Sequence, residues 1–537
     1  MIFHKIFHTP KLAVLFVAIW TVFFLVLWSQ MLVIREGALW AGHPYVWADW
    51  SMHTGLVSLF AYRPPQEWFT NHPYGALLPL NYPFVTNFLS GMLVRIGVTL
   101  SASMIVPSFV FSVFSVVVLV YFFKTMKFSR VWSLIASLLF WFSGGIGFFA
   151  KVLQTNSLEF VMNSKTILTQ MSAPNIQFTN IFMGMLLPQR AFLLGLPVGL
   201  YVLSVLYRFA FVKIKKAEMI AAAVLLGVLP IIHTHTFIVC MVVGGWWALL
   251  SLKRIKQWLL FGLVSVPIAT LMYLIFIRST ITAHFFSWHP GWYVTSGVVD
   301  WLQFWLVNWG VFGVVALLGT ISLFFVNKKM FLRVLPWWFL FALANMIQFQ
   351  PQTWDNSKLL AWAYLGFCIP VTYLLQMLWQ RKPLKSLVVI LFIASVISGA
   401  VDVAHLLDFQ TKSYQMLSPG EITFGQWVRE NTPTNAVFLT SDWVNNAVPM
   451  IAGRSIILGY PGWIFSYGFP YQDRQRDIAL MYKDPAKHAD LFAKYHVAYV
   501  VLGPQEQKYN PDESYFEKHF VRVYSDSGIS LYKAKWE

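Results

Sequence analysis

The feature that most constrains this chain is a series of long apolar stretches along its first 408 residues. A stretch of about 18 or more apolar residues is long enough to cross the hydrocarbon core of a bilayer as a helix. The sequence is 58% hydrophobic and only 11% charged, whereas soluble domains carry about 25% charged residues. These features predict a polytopic α-helical membrane protein.

Lys and Arg clusters between the apolar stretches predict the orientation, because such clusters favour the cytoplasmic side. Residues 1–408 hold 26 Lys and Arg against nine Asp and Glu, whereas residues 409–537 hold 13 of each. The net charge of +17 therefore belongs to the membrane region, and we assign it to cytoplasmic loops and not to nucleic-acid binding. The low-charge loops are then external: 35–80, 151–190, 278–300 and 350–358.

We predict about 11 transmembrane helices in a multi-pass protein of the plasma membrane, with a cytoplasmic N-terminus and an external C-terminal region. The predicted spans are 12–34, 103–123, 131–150, 190–210, 217–233, 236–251, 257–277, 301–326, 331–349, 359–379 and 385–408. A crossing by the apolar segment 80–98 would invert every later loop. We therefore predict a re-entrant or juxtamembrane helix there, next to the large first external loop at 35–80.

The composition changes near residue 408 and predicts two domains, a transmembrane domain at 1–408 and a small external α/β domain at 409–537. Within the second domain, helices are predicted at 421–433 and 484–496. Strands are predicted at 436–440, 498–503 and 520–524. The two cysteines, Cys240 and Cys368, lie in apolar stretches and indicate neither a disulfide framework nor a metal-thiolate site.

V-W-A-D-W-S-M-H at 46–53 contains the leading candidate for catalysis. Asp49 stands between Trp47 and Trp50 shortly after the first span. A carboxylate beside aromatic surface can act as a general base or bind a cation. If the segment is helical, His53 lies on the same face one turn later. The alternative is an aromatic interfacial loop in which Asp49 caps a helix.

Polar residues of the other external loops and of one span break are candidates for substrate binding. Arg63 can hold a phosphate and His72 can donate to one. The alternatives are solvated loop positions for these two, and contact of Arg190 with lipid head groups. A lone histidine pair is a weak metal signal. The remaining candidates are Glu159, Gln189, Arg190, His233, His235, Asp355, Asn356 and Lys358.

Taken together, these features resemble the C-type fold (GT-C) of membrane glycosyltransferases, the superfamily of oligosaccharyltransferases, protein mannosyltransferases and aminoarabinose transferases. The resemblance is closest to poorly characterised prokaryotic multi-pass members and covers nearly the whole chain in architecture. The segments that carry it are A-D-W-S-M-H, L-P-L-N-Y-P, L-L-P-Q-R-A-F, I-I-H-T-H-T-F, Q-T-W-D-N-S-K and K-Y-H-V-A-Y-V-V-L-G-P.

The resemblance implies transfer of a sugar from a polyprenyl-phosphate or pyrophosphate donor to a glycan, lipid or protein acceptor on the external face, with inversion at the anomeric carbon. Asp49 would occupy the position of the catalytic aspartate. Such enzymes often carry a second acidic motif, but loop 151–190 offers only Glu159, so a divalent cation stays open and no metal ligands are assigned. The alternatives are a non-catalytic scaffold of cell-envelope glycan assembly and a flippase or transporter of lipid-linked glycans.

Overall fold

The computed structural model describes residues 11–80, 82–163, 165–212, 214–277 and 286–535. These residues form two compact units. The first unit consists of the described parts of Met1–Leu27, Phe109–Ile275 and Phe286–Thr411, and the second of those of Trp28–Ser108, Phe276–Phe285 and Lys412–Glu537. Part of the predicted external loop 278–300 therefore lies outside the described residues.

Helices dominate the membrane region. Among the described residues, seven helices are long and apolar enough to cross a membrane, and two shorter ones are also apolar. The count of 11 crossings and the orientation stay predictions. In chain order the helices are α1 (Lys11–Ser29), α2 (Trp47–Tyr62), α3 (Val85–Arg95), α4 (Leu100–Thr125), α5 (Arg130–Trp141), α6 (Gly147–Thr155), α7 (Arg190–Phe211), α8 (Lys216–Ile232), α9 (Thr234–Leu249), α10 (Ile255–Met272), α11 (Val298–Val326), α12 (Lys328–Met346), α13 (Ser357–Trp379) and α14 (Lys385–His405).

Two apolar segments differ from a simple span. The predicted span 131–150 is broken between α5 and α6, where a Cβ on Gly145 would meet the Val307 carbonyl oxygen at 2.2 Å. Glycine is needed at that close approach of two backbones. The segment 80–98 forms α3, whose 11 residues rise only about 16 Å, roughly half the hydrocarbon thickness.

The first predicted external loop packs with the C-terminal region inside the second unit. Strands β1 (Leu32–Arg35) and β2 (Ala38–Ala41) form a hairpin, and β2 pairs antiparallel with β5 (Tyr414–Leu417). Helix α2 is buried from Trp50 to Ala61, so it is a core helix of this unit and not a surface loop. Two short strands of the first unit, β3 (Ser287–Trp288) and β4 (Ile347–Gln348), also pair antiparallel.

A mixed five-stranded sheet follows in the C-terminal region, with strand order β7-β6-β8-β10-β9. The strands predicted at 436–440, 498–503 and 520–524 appear as β6 (Val437–Leu439), β8 (Val497–Leu502) and β9 (Val521–Asp526). Strand β6 runs parallel to β7 and β8, and β10 runs antiparallel to β8 and β9. The two strands that the sequence pattern missed are β7 (Ser455–Ile456) and β10 (Ile529–Lys533).

The helices around this sheet follow local signals. Ser418 and Glu421 form a capping box, which satisfies free backbone N–H groups at a helix start. The predicted helix 484–496 is confined to 489–494. The helices of this region are α15 (Phe409–Lys412), α16 (Pro419–Asn431), α17 (Pro461–Ser466), α18 (Gln472–Lys483), α19 (Ala489–Lys494) and α20 (Glu513–His519).

An irregular segment between α6 and α7 is held in the first unit by buried polar side chains. The Asp402 carboxylate near the end of α14 accepts hydrogen bonds from Leu168 N at 2.9 Å, Thr169 N at 2.8 Å and Thr169 Oγ1 at 2.7 Å. On α11, Asn308 Oδ1 accepts from the backbone N–H groups of residues 177 and 178. Buried backbone groups need such partners, and these side chains supply them where helix hydrogen bonds end.

Buried polar side chains also hold the second unit together. The Arg63 guanidinium donates to Gly453 O at 2.5 Å, Asn71 O at 3.0 Å and Ser455 Oγ at 2.9 Å. Burial lowers the pKa of Arg63 to about 9. His72 is buried, its Nδ1 accepts from the Tyr74 N–H at 3.0 Å, and burial lowers its pKa to about 3.

Replacing Asp402 with Asn should loosen the irregular segment of the first unit. The amide presents N–H groups to donors that now face a carboxylate, which we expect to cost about 1–3 kcal/mol. Thermal unfolding of the detergent-solubilised protein and proteolysis between residues 157 and 181 measure the effect. Asp408→Asn is the matched control, because its carboxylate accepts locally from Thr411. If Asp402→Asn and Asp408→Asn were equally resistant to proteolysis in this segment, this role of Asp402 would be contradicted.

Acidification should destabilise the second unit through His72. The unfolded state takes up a proton below the ordinary pKa of 6.5, whereas the folded state stays neutral down to about 3. Stability is therefore present above pH 6.5 and is lost as the pH falls, by about 2 kcal/mol at pH 5. His72→Asn should flatten the decline in melting temperature between pH 7.5 and pH 5. The exposed His519→Asn should leave it unchanged, and a decline identical in all three proteins would refute the assignment.

Candidate functional site

Asp49 lies in the first turn of α2. The turn before it is shaped by His43, whose buried Nδ1 accepts from the Tyr45 N–H at 3.2 Å. A carboxylate at a helix N-terminus is stabilised by the unpaired N–H groups and the helix dipole. The Asp49 side chain is half-buried, so it combines a defined position with access to solvent. The local sequence therefore places one acidic group at the start of a buried helix.

Asp49 has an aromatic chain neighbour at Trp50 and a second aromatic residue two positions before it at Trp47. Tyr414 of β5 lies within its electrostatic reach, and burial first and the Asp49 charge second raise the pKa of the Tyr414 phenol. Trp47 is 42% exposed and meets Tyr460 edge to face, with ring centroids 5.3 Å apart. Trp50 is fully buried and stacks on Trp28. Of the two flanking tryptophans, only Trp47 thus offers exposed surface.

His53 follows Asp49 by one turn of α2, as the spacing predicts for a helix. Its ring is fully buried. The Nδ1 atom lies 3.1 Å from Asn87 Nδ2 of α3, and Tyr82 meets the ring edge to face. Since Asn87 Nδ2 donates, Nδ1 accepts and the proton of the neutral ring lies on Nε2. The ring orientation is therefore set by α3.

Arg63 and His72, the candidates for contacts to a phosphate, are both buried in the structure. Each guanidinium nitrogen of Arg63 donates to a protein oxygen, and burial of His72 disfavours its charged form. Sequence spacing cannot distinguish such a buried role from a ligand contact, because the partners at 453 and 455 lie about 390 residues away. Both side chains form hydrogen bonds that hold segments of the second unit together.

In the first unit lies a second group of residues, which we name the Lys358 cluster: the candidates His233, His235, Asp355 and Lys358, together with Trp362, which the sequence analysis did not identify. Lys358 Nζ lies 2.9 Å from Asp355 Oδ1 in a buried ion pair. Its charge acts on both imidazoles, whose ring centroids are 5.5 Å apart. The loop 350–358 and the H-T-H-T break, separate in sequence, are thus brought into one polar group.

Several hydrogen-bonding atoms in and beside the Lys358 cluster have no protein partner. Among the described residues, His235 Nε2, Ser357 Oγ and Trp362 Nε1 are buried without a hydrogen bond. His233 Nδ1 accepts from the Thr236 N–H at 3.2 Å, so its ring is oriented. Buried polar atoms normally have partners, and a cation with several unpaired neighbours suits a ligand with multiple acceptor oxygens.

Two glycines of α7 permit this arrangement. A Cβ on Gly195 would lie 2.5 Å from His233 Cβ, and one on Gly199 would lie 2.4 Å from Thr236 Cγ2. Small residues four apart let helices approach closely in a membrane. The sequence G-L-P-V-G at 195–199 carries that signal.

The other predicted residues have different surroundings. The Asn356 side chain makes its hydrogen bonds within the protein: Nδ2 donates to Ala344 O and Ile347 O, and Oδ1 accepts from Phe349 N. This amide therefore shapes the loop and leaves little capacity for a substrate. Gln189 and Arg190 are buried at the start of α7, and Glu159 is exposed in a short turn.

The structure gives no assignment for the divalent cation that the sequence left open. Among the described residues, no group of three or more His, Cys, Asp or Glu side chains is placed to hold a metal ion. The two imidazoles of the Lys358 cluster stand beside an ammonium group, which repels a cation. We therefore derive no chemical step through a metal.

No protein-family profile and no curated protein sequence matches the chain. Solved structures of the Archaeoglobus fulgidus oligosaccharyltransferase are similar to it. The structure tethered to an acceptor peptide containing the NVT sequon has a TM-score of 0.52 and 12% identity, and the match covers 98% of this chain and 74% of that one. The complex with Zn and sulfate has a TM-score of 0.52 and 13% identity, over 90% and 67%. At such low identity the similarity establishes the fold alone, and this chain therefore has a fold similar to that of the Archaeoglobus fulgidus oligosaccharyltransferase.

Proposed function

We propose that the protein is a membrane glycosyltransferase that moves a sugar from a polyprenyl-phosphate or pyrophosphate carrier to an acceptor on the external face. The observation that carries the proposal is a half-buried carboxylate, Asp49, at the start of a core helix in a chain with an oligosaccharyltransferase fold. A donor with a lipid tail and an external acceptor also suits a chain with seven candidate spans among its described residues.

Asp49 is assigned the role of general base. An acceptor hydroxyl or amide is a poor nucleophile until its proton is removed. The carboxylate accepts that proton while the acceptor atom bonds to the anomeric carbon, and the bond from that carbon to the phosphate oxygen breaks. One such displacement inverts the anomeric centre. The N-terminal helix dipole favours the ionised carboxylate before the reaction, and His53 at the next turn belongs to the same rigid helix.

The Lys358 cluster is assigned the binding of the anionic carrier. A phosphate or pyrophosphate gains negative charge as it leaves, and a preorganised ammonium group in a water-poor site stabilises that charge. Lys358 is 8% exposed, and its neighbours include the unpartnered donors of Ser357 and Trp362. The Asp355 carboxylate fixes the ammonium group and lowers the cost of burying it. This assignment and that of Asp49 are independent and are tested separately.

Asp49→Asn should abolish sugar transfer by membranes supplied with a panel of radiolabelled polyprenyl-phosphate sugars. The amide has nearly the same shape but cannot accept the proton, so we expect a loss of at least about 100-fold in rate. Asp473→Asn, at a carboxylate that is 72% exposed, is the matched control at equal expression. Equal transfer by wild type and Asp49→Asn would eliminate Asp49 as the base. If no donor of the panel supports transfer, a scaffold is favoured. Donor translocation without transfer would favour a flippase.

The double variant Asp355→Asn/Lys358→Gln should bind polyprenyl phosphate more weakly. Both charges are removed together, so no unpaired charge stays buried. Loss of a charge-assisted hydrogen bond of about 2 kcal/mol predicts roughly thirtyfold weaker binding in nanodiscs. Asp484→Asn/Lys487→Gln removes an exposed pair with the same i, i+3 spacing and should bind normally. An unchanged dissociation constant in the first variant would refute the anion assignment.

A further inference from the structure

A cleft in the first unit has no role in the proposed chemistry. Its volume is about 420 Å³, within the range of about 300–1,000 Å³ typical of ligand pockets. One wall is a face of α11, with Asp300, Gln303, Phe304 and Val307 at the i, i+3, i+4, i+7 spacing of a helix. The other walls are loop residues 174–175 and 293–296. None of these residues was a site candidate in the sequence.

Hydrogen bonds hold the walls of this cleft in place. On the α11 side, Asn308 Nδ2 donates to Asn175 O at 3.0 Å, which fixes the loop that supplies Asn175. On the other side, Trp292 is 1% exposed and its Nε1 donates to Thr353 O at 2.9 Å. Gly291 N donates to Asn345 O at 2.7 Å. Both loops are therefore held by buried side chains or by the adjoining helix end.

The lining chemistry indicates a neutral polar ligand. The lining includes the amides of Asn175 and Gln303, the hydroxyls of Thr295 and Ser296, and the carboxylate of Asp300. Amides and hydroxyls both donate and accept, which matches the hydroxyl groups of a sugar. No Lys, Arg or His is among the described lining residues, so a phosphate would find no cation there.

Aromatic surface and position narrow the ligand further. Tyr293, 37% exposed, and Phe304 line the cleft and offer apolar faces to the C–H side of a sugar ring. Tyr293 also lies within electrostatic reach of Asp355, the partner of Lys358. The hydrogen bond from Trp292 Nε1 to Thr353 O joins the cleft loop to the segment that carries Asp355 and Lys358, as expected for a ligand with one anionic and one neutral end.

We propose that the cleft formed by α11 and the loops at 174–175 and 293–296 binds the neutral glycan part of the lipid-linked donor. The assignment of that glycan to the donor rests on the proposed function. The cleft separates recognition of the glycan from recognition of the phosphate, because it presents hydroxyl-binding groups and the Lys358 cluster presents the cation. Donors with glycans too small to reach it would then bind through the phosphate and lipid alone.

The test measures glycan binding without transfer. Full-length protein in lipid nanodiscs is titrated with neutral oligosaccharides released by mild acid from the polyprenyl-linked glycans of the cells that make this protein. Ligand-observed saturation-transfer NMR gives the dissociation constant. Wild type and Asp49→Asn should bind equally. Gln303→Ala and Thr295→Val should each weaken binding roughly fivefold, the effect of losing one hydrogen bond. Gln380→Ala, at an exposed glutamine after α13, should bind as wild type.

Each outcome decides the proposal. The proposal would be overturned if wild type did not bind the glycan, or if both cleft variants bound it as tightly as wild type. Displacement of the glycan by inorganic pyrophosphate would show an anion site and would also overturn it. Failure of the proposed function is distinguishable, because sugar transfer unaffected by Asp49→Asn would remove the catalytic assignment while glycan binding that depends on Gln303 would stand.

Discussion

Hydrogen bonding of irregular backbone by buried polar side chains is the constraint on which this architecture depends. Between α6 and α7 the chain lacks continuous helical hydrogen bonds. The side chains of Asp402, Asn308 and Asn180 supply hydrogen-bond partners to backbone groups there and at the neighbouring helix ends. Asn180 Nδ2 donates to Ser143 O at 2.8 Å and Trp141 O at 3.1 Å. In surroundings this apolar, an unpaired peptide group is costly. Asn308 Nδ2 also donates to Asn175 O at 3.0 Å, which fixes one wall of the cleft beside α11.

Side chains that look chemically reactive in the sequence therefore divide into two classes. Arg63, His72 and Asn356 form hydrogen bonds with other parts of the protein. His235 and Trp362 are buried with an unpaired ring atom among the described residues, and Lys358 carries a charge beside them. Buried unpaired groups are costly to a fold, so their concentration around one ammonium group is the stronger sign of a ligand.

The two proposed recognition elements of the first unit differ in chemistry in a way that suits a glycolipid phosphate. The Lys358 cluster offers charge in a nearly closed environment, which suits a phosphate. The cleft offers amides, hydroxyls and aromatic faces without a cation among its described lining residues, which suits hydroxyl groups. The hydrogen bond from Trp292 Nε1 to Thr353 O links the cleft loop to the segment that carries Lys358.

Sequence alone identified the features that depend on local composition. Long apolar stretches predicted membrane helices, short runs rich in apolar residues predicted β6, β8 and β9, and the Asp49–His53 spacing predicted a shared face if the segment was helical. These properties follow from neighbouring residues, so a linear pattern reveals them. The capping box at Ser418 and the close-approach signal G-L-P-V-G were also readable in the chain, although only the structure showed what they position.

Tertiary structure decided which polar residues are free to act. Asp402 meets Thr169 across 233 positions, and Arg63 meets Gly453 across 390, separations at which no sequence pattern indicates contact. The burial of α2, the grouping of His233 and His235 with Lys358, and the cleft beside α11 arise in the same way. Burial and hydrogen-bond partners are properties of the packed chain, whereas hydrophobicity and charge belong to each residue. For that reason the sequence indicated a membrane protein and named Asp49 as a candidate, and only packing determined which of the other candidates are engaged by hydrogen bonds within the protein.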